Sequence, residues 1–151
     1  MASDDDLILW WGLVHEGYGA MSGLIRDDVE DMGLPIAWFE VLLRLLRSPE
    51  HRLPMTQLAG EVSFSSGGFT KLADRVVAAG LVKRVPCPMD GRVTWIALTS
   101  KGTRKINEAV TRHCALLRVR VLAVLGAADF EKLGTIMRTL RDSVGSDTAA
   151  A

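Results

Sequence analysis

The chain of 151 residues is poor in the residues that staple small proteins or build metal centres, with only two cysteines and three histidines. Cys87 and Cys114 lie far apart without a C-x-x-C spacing, which argues against a disulfide framework or a zinc knuckle and leaves ordinary thiols. His15, His51 and His113 show no metal-ligand spacing, so neither a metal nor a cofactor is expected. A long hydrophobic run is also missing. The opening MASDDDLILWWGLVHEGYGAM carries three aspartates before its apolar stretch and is interrupted by His15 and Glu16, which fits neither a signal peptide nor a membrane span and suggests the cytoplasm. No nucleophile–base motif, phosphate loop or metal signature appears: SSGG at 65–68 lacks the lysine and spacing of a phosphate loop. An enzyme is not expected. The length suits one compact unit with a real core, too short for a catalytic domain beside a separate binding domain.

A charge of one sign is absent overall but present locally. Residues 1–51 hold 3 basic and 10 acidic side chains, residues 52–105 hold 9 and 3, and residues 106–151 hold 6 and 5. A basic block inside a neutral chain is the footprint of a polyanion-binding surface carried on a scaffold that does not touch the polyanion, although a solvated basic face reads the same way.

What is present is mostly amphipathic helix. Leu7, Trp11, Val14, Tyr18, Met21 and Ile25 recur at three- and four-residue steps and form one apolar stripe on a long first helix begun by the acidic SDDD. LPIAWFEVLLRLLRSP reads as a second helix between Pro35 and Ser48-Pro49, with Phe39, Leu42, Leu43 and Leu46 on its buried side. A short helix from Thr56 to Val62, a turn through Ser63-Phe64 and a helix from a Ser65 N-cap to Ala79, closed by Gly80, follow at helix-turn-helix spacing. On the second of these, Phe69, Leu72 and Val76 share one face, and Ser66, Gly67, Thr70, Lys71, Asp74 and Arg75 the other. Small hydroxyls and cations at the start of an exposed helix face are what major-groove reading requires, while most helices with such a face are merely solvated. Gly67 and Gly68 cost about 1 kcal/mol each against alanine within a helix, so a compensating close contact is expected.

Two β-prone runs, LVKRV and RVTWIAL, flank a loop holding Pro86, Pro88 and Asp90-Gly91, which makes a two-stranded ribbon attached to the helix-turn-helix. That is a winged helix, with Arg92 at the hairpin tip placed to reach a minor groove and Asp90 placed to brace its guanidinium. FSSGGFTKLADRVVAAGLVKR followed by DGRVTWIALTSKG resembles the recognition helix and wing of the MarR family of bacterial transcription regulators. The agreement lies at Thr70, Leu72, Asp74, Arg75, Gly80, Leu81, Val82, Arg84, Asp90, Arg92, Leu98, Thr99 and Gly102. Val76 replaces the usual leucine, and Gly67-Gly68 and the PCP before the wing tip depart from the pattern.

The flanks extend this reading. A long helix N-capped by Thr99 and a further one with Phe130, Leu133, Ile136, Met137 and Leu140 on its apolar side outlast what one winged helix can cover. The expected fold class is mainly α with a small antiparallel β-hairpin: a winged helix-turn-helix lobe at 36–99, a helical dimerisation region at 1–35 and 100–146, and a disordered tail at 147–151. The resemblance implies a homodimer that presses two recognition helices onto a palindromic operator in double-stranded DNA, most often as a repressor. The DNA-binding candidates are Ser65, Ser66, Gly67, Thr70, Lys71, Arg75, Arg84, Asp90 and Arg92. It also implies an aromatic or amphipathic effector near Trp11, His15, Tyr18 and Trp38, although aromatics at helical spacing are more often plain core. The alternatives are a winged-helix interaction or dimerisation module without sequence-specific DNA binding, and a cysteine- or metal-responsive regulator of the same fold. In the latter, Cys87 is the candidate thiol because Arg84 and Arg92 lie near it in sequence, whereas Cys114 in an apolar helix reads as inert.

Overall fold

The computed structural model describes residues 1–62, 66–87 and 89–147. The expected turn through Ser63-Phe64, the Ser65 cap, Pro88 and residues 148–151 of the expected tail lie outside the described residues. The chain divides into two compact units, Met1–His113 and Cys114–Ala151.

In the first unit, α1 spans Asp4–Glu30 and starts in a capping box. The Asp6 backbone N–H donates to Ser3 Oγ at 3.2 Å, and Asp6 Oδ2 accepts from the Ser3 backbone N–H at 3.0 Å. These Ser3 donors hold the Asp6 carboxyl below its usual range, and three carboxylates in the first turn suit the positive end of the helix dipole. The periodic stripe is buried only at its far end: Val29 is fully enclosed and Ile25 packs partly on the core, whereas Leu7, Trp11, Val14 and Tyr18 are exposed within one chain.

Helix α2, Ile36–Arg47, is entered through Pro35 and ends at Ser48. Its inner face is Phe39, Val41, Leu42 and Leu45; the expected Leu43 and Leu46 are only partly buried, a rotation of the stripe by about one residue. A single 3-10 turn, Pro49–His51, leads into β1, Arg52–Pro54, which the sequence pattern did not announce. Next come α3 (Met55–Glu61), α4 (Ser66–Ala78), β2 (Val82–Pro86), β3 (Thr94–Leu98) and α5 (Ser100–Leu117). The sheet has three antiparallel strands in the order β1-β3-β2 instead of the expected two, with Ile96 of β3 facing Leu53 on one side and Arg84 on the other. Three residues ending in proline carry no alternation to read, and β1 exists only because β3 offers its free edge.

One core joins these elements: Val29, Phe39, Leu42, Leu45, Leu58, Phe69, Val76, Ile96 and Ile106 are all at most 3% exposed. Each such side chain contributes roughly 1.5–3 kcal/mol of burial, an upper figure because the unfolded chain already hides some surface. Phe69, Leu72 and Val76, read from the sequence as one face of α4, all point into it.

The turn after α4 shows what Thr99 and Gly102 do. Gly80 adopts φ +72, and the backbone N–H groups of Gly80 and Leu81 return to the Val77 and Val76 carbonyls at 2.8 and 3.2 Å, closing the helix in a left-handed cap. Thr99 Oγ1 donates to the Gly80 carbonyl at 2.7 Å and accepts from the Gly102 backbone N–H at 3.0 Å, so one hydroxyl caps α5 and ties it to the end of α4. Gly102 then lies so close that a Cβ there would meet the Leu81 oxygen at 1.9 Å.

The second unit continues from Cys114 through a π-helical turn, Arg118–Leu122, into α6, Ala123–Asp147. The expected long helix breaks at Gly126, whose φ of +77 and ψ of 165 are not helical. The apolar side of α6, Leu133, Ile136, Met137 and Leu140, is 37–47% exposed. Asp147, placed in the tail by sequence, is the last residue of this helix.

Candidate nucleic-acid interface

Helix α4 turns Gly67, Thr70, Lys71, Asp74 and Arg75 outward, as its spacing requires once Phe69, Leu72 and Val76 are buried. Ser66 opens the helix. Gly67 is exposed, and a Cβ built there meets nothing within 4 Å. Nothing in the described fold requires a glycine at that position, so the cost of its missing side chain has no return inside the protein.

Arg84, a candidate for DNA contact, projects from β2 and pairs through Nη1 with Asp74 Oδ1 at 2.8 Å. The sequence set Asp74 beside Arg75; the structure gives it to Arg84 instead, because the first residues of β2 run back past the third turn of α4. Both partners are more than a third exposed, so the pair is worth at most about 1 kcal/mol and acts mainly to orient α4 against the sheet. Arg75 stays exposed on the outer face.

At the hairpin, the Arg92 backbone N–H donates to Asp90 Oδ1 at 3.0 Å. The expected brace therefore acts on the main chain and not on the guanidinium: a carboxylate two residues before an N–H closes a turn around it before a flexible side chain can compete. The Val93 N–H donates to the Asp90 carbonyl at 3.0 Å and the Cys87 N–H to the Val93 carbonyl at 2.9 Å, which closes the loop and leaves Arg92 exposed at its tip. Behind the tip, a cleft of about 330 Å³ between α3, α4 and the hairpin has Thr70 and Arg92 on its rim and Phe69, Ala59 and Met55 in its wall. It brings the recognition-helix and wing candidates onto one surface.

Cys87 is half-buried at the base of this loop. Its thiol is held below its ordinary pKa chiefly by the backbone N–H groups of Met89 and Asp90. The neighbouring arginines suggested by sequence are not the cause; the turn is. Trp95, one strand over, has its face covered by the Arg52 guanidinium at 4.9 Å, and Arg52 is paired with Glu50.

The ligand candidates divide. Trp38 lines a cleft of about 410 Å³ with Gly33, Leu34, Ala79, Leu81, Lys101, Arg104, Lys105 and Glu108. Lys101 Nζ donates to the Ala79 carbonyl at 2.8 Å and Lys105 Nζ to the Met32 carbonyl at 2.9 Å, each at the C-terminal end of a helix, where a cation is favoured. Trp11, His15 and Tyr18 do not line this cleft and stand exposed on α1. Sequence reasoning missed the three cations, although their spacing of i, i+3, i+4 on α5 was available to be read as one face. Among the described residues, no group of three or more metal-ligating side chains converges.

A two-helix unit whose second helix offers a polar outer face, followed by a three-stranded sheet with a charged hairpin tip, defines a winged helix-turn-helix protein. Residues 32–93 match the model of the MarR family. It is 24% identical over 119 residues to the HTH-type transcriptional regulator MhqR of Bacillus subtilis strain 168, covering 79% of this chain and 80% of that one. AbsC, a MarR family transcriptional regulator of Streptomyces coelicolor, superposes with a TM-score of 0.83 at 22% identity, over 97% of this chain and 98% of its own. Sco3205, a MarR family transcriptional regulator of the same organism solved in complex with DNA, gives 0.74 at 25% identity, over 95% and 90%. Among the described residues no helix is long and apolar enough to cross a membrane.

Proposed function

We propose that the chain is a homodimeric, DNA-binding transcriptional regulator that reads a (pseudo)palindromic operator and represses from it until a small aromatic or amphipathic ligand binds. The observation that carries this is the single surface formed by the outer face of α4 and the Arg92 tip, with Gly67, Thr70, Lys71 and Arg75 exposed beside it. Thr70 and Lys71 suit base edges, Gly67 permits close approach, and Arg75 suits the phosphate backbone. Arg92 suits a narrow minor groove. Arg84 and Asp90 act one step back, by positioning α4 and the hairpin. Ser66 opens the reading helix, and Ser65, outside the described residues, remains a DNA-binding candidate in this proposal.

The dimer is supported by the exposed apolar side chains along α1, Leu7, Trp11 and Tyr18 among them, and along α6, Leu133, Ile136 and Leu140. A two-fold partner would set two reading helices about one DNA turn apart. For the effector, the cleft at Trp38 offers an aromatic wall with Lys101, Arg104 and Lys105 near it, which suits a ring bearing an acidic group. Trp11, His15 and Tyr18 are proposed to close that site only in the assembled dimer. A ligand that binds one spacing of the reading helices better than the other shifts the population and releases DNA.

Selection from random duplexes, followed by binding at several salt concentrations, tests the reading. Enrichment of an inverted repeat with steeply salt-dependent affinity is expected. Binding without enrichment, or no binding, would reduce the chain to an interaction module of the same fold.

A further inference from the structure

Where α1, α2 and α5 meet in the first unit, two polar atoms are buried without a hydrogen-bond partner in the protein: Asp28 Oδ2 on α1 and His113 Nδ1 on α5. Their surroundings are well made in every other respect. Asp28 Oδ1 accepts from Arg112 Nε at 2.7 Å, and the same guanidinium reaches Asp31 Oδ2 at 3.8 Å. The His113 ring lies edge-on to Phe39 of α2, with centroids 5.3 Å apart. Thus α1 presents Asp28 and its C-cap Asp31 to this corner, α5 presents Arg112, and α2 presents the uncharged Phe39 ring. One Asp28 carboxylate oxygen is used and one is idle; the charge of Asp28 reaches the His113 ring, whose Nδ1 is also idle.

Buried idle polar atoms cost free energy, about 1–3 kcal/mol each, and two of them at one corner call for an explanation. In neutral imidazole one ring nitrogen carries hydrogen; in imidazolium both do, and Nδ1 is then necessarily a donor. We infer that His113 and Asp28 form a proton-operated clasp between α5 and α1, open when His113 is neutral and closed by a charge-assisted hydrogen bond from Nδ1–H to Asp28 Oδ2 when it is protonated.

Closure draws together the two helices that flank α2, whose Phe39 is part of the core beneath the reading helix. Burial lowers the His113 pKa, and the Asp28 charge opposes that shift. The sign follows: the folded chain takes up this proton later than the unfolded chain, so the stability supplied by neutral His113 is present above the ordinary histidine range and is lost as pH falls toward the folded pKa. Asp28 limits the loss by rewarding the protonated form. The pair converts mild acidification into a tightened α1–α5 corner, and a lobe already stiffened loses less entropy on binding DNA, so affinity rises in acid. That last step rests on the DNA-binding reading; the clasp itself does not.

The test is an NMR titration of the imidazole groups of the full chain from about pH 8 to about pH 5, with His113 assigned by loss of its signals in His113→Phe. The clasp predicts a His113 midpoint below the ordinary histidine value, slow exchange of Nδ1–H once protonated, and a midpoint lowered further, by about half a unit or more, in Asp28→Asn. An unmoved midpoint in Asp28→Asn, or fast exchange of Nδ1–H in the protonated wild type, overturns it. The exchange measurement needs no variant and stands even if Asp28→Asn folds poorly. In the second arm, the gain in DNA affinity from about pH 7.5 to about pH 5.5 should be about fivefold larger for wild type than for His113→Phe. Equal gains overturn the link to DNA, whereas failure of wild type to bind any duplex counts against the regulator reading and leaves the titration to decide the clasp.

Discussion

From α2 to β3 the large apolar side chains outside the hairpin loop are mostly enclosed, Phe39, Leu42, Leu45, Leu58, Phe69, Val76 and Ile96 among them; along the first turns of α1 and on α6 they face solvent, with Trp11 at 65% and Ile136 at 47% exposure. Apolar content does not separate these regions, since both are rich in leucine and aromatic residues. What separates them is closure. Short helices packed on a small sheet cover one another within one chain, whereas a 27-residue helix and a 25-residue helix present stripes longer than anything in their own unit can cover. The lobe is finished as a single chain; the stripes on the long helices are left open, which is what the proposed dimer would cover.

The comparison is most strongly tested at Gly102, which belongs to the finished lobe. Gly102→Ala forces a methyl group into the Leu81 carbonyl, and thermal or urea unfolding should show a loss of about 3 kcal/mol or more. Near-wild-type stability there would mean that the joint between α4 and α5 is looser than described. On the unfinished side, Leu133→Asp and Leu140→Asp should leave the secondary structure of the lone chain nearly unchanged, because both positions are already exposed in it. Sedimentation should instead show dimer dissociation raised tenfold or more, about 1.4 kcal/mol, with operator binding weakened in parallel. A dimer indifferent to both substitutions would move the interface elsewhere.

Within the lobe, the reading face is distinguished from the core by what substitution does to DNA and not to the fold. Lys71→Ala should lose about 1–3 kcal/mol of discrimination between the selected site and random DNA with no change in melting temperature; equal losses on both duplexes would make Lys71 a phosphate contact. Gly67→Ala should act in opposite directions, stabilising the fold by about 0.5–1 kcal/mol while weakening operator binding. If it stabilises and binding is unaffected, close approach at the start of α4 is refuted. The smallest effect belongs to the wing: Arg92→Ala should lower the salt slope of log affinity by about one and weaken the preference for A·T-rich flanks, with Asp90→Ala doing less.

Much of the lobe was legible because its signals are local. The helix-turn-helix spacing, the apolar face of α4 at Phe69, Leu72 and Val76, the Gly80 stop, the Thr99 cap and the two wing strands all depend on neighbours a few residues away. Partnerships were not legible in the same way. Asp74 stands next to Arg75 in sequence yet pairs with Arg84, ten positions on, because β2 runs back along α4. Asp90 was read as a side-chain brace and serves the backbone; β1 went unseen because three residues carry no period.

Sequence by itself determined the order and type of the main helices and the two wing strands, the face α4 buries, and the chemistry on its outer face, since periodicity and capping act within one or two turns. Tertiary structure decided which charges meet, that Trp38 shares a cleft with Lys101, Arg104 and Lys105, and that Asp28 and His113 end as idle neighbours 85 positions apart in the chain. Those contacts arise from how helices cross and strands return, and no pattern along a single helix encodes the distance between two side chains on different ones.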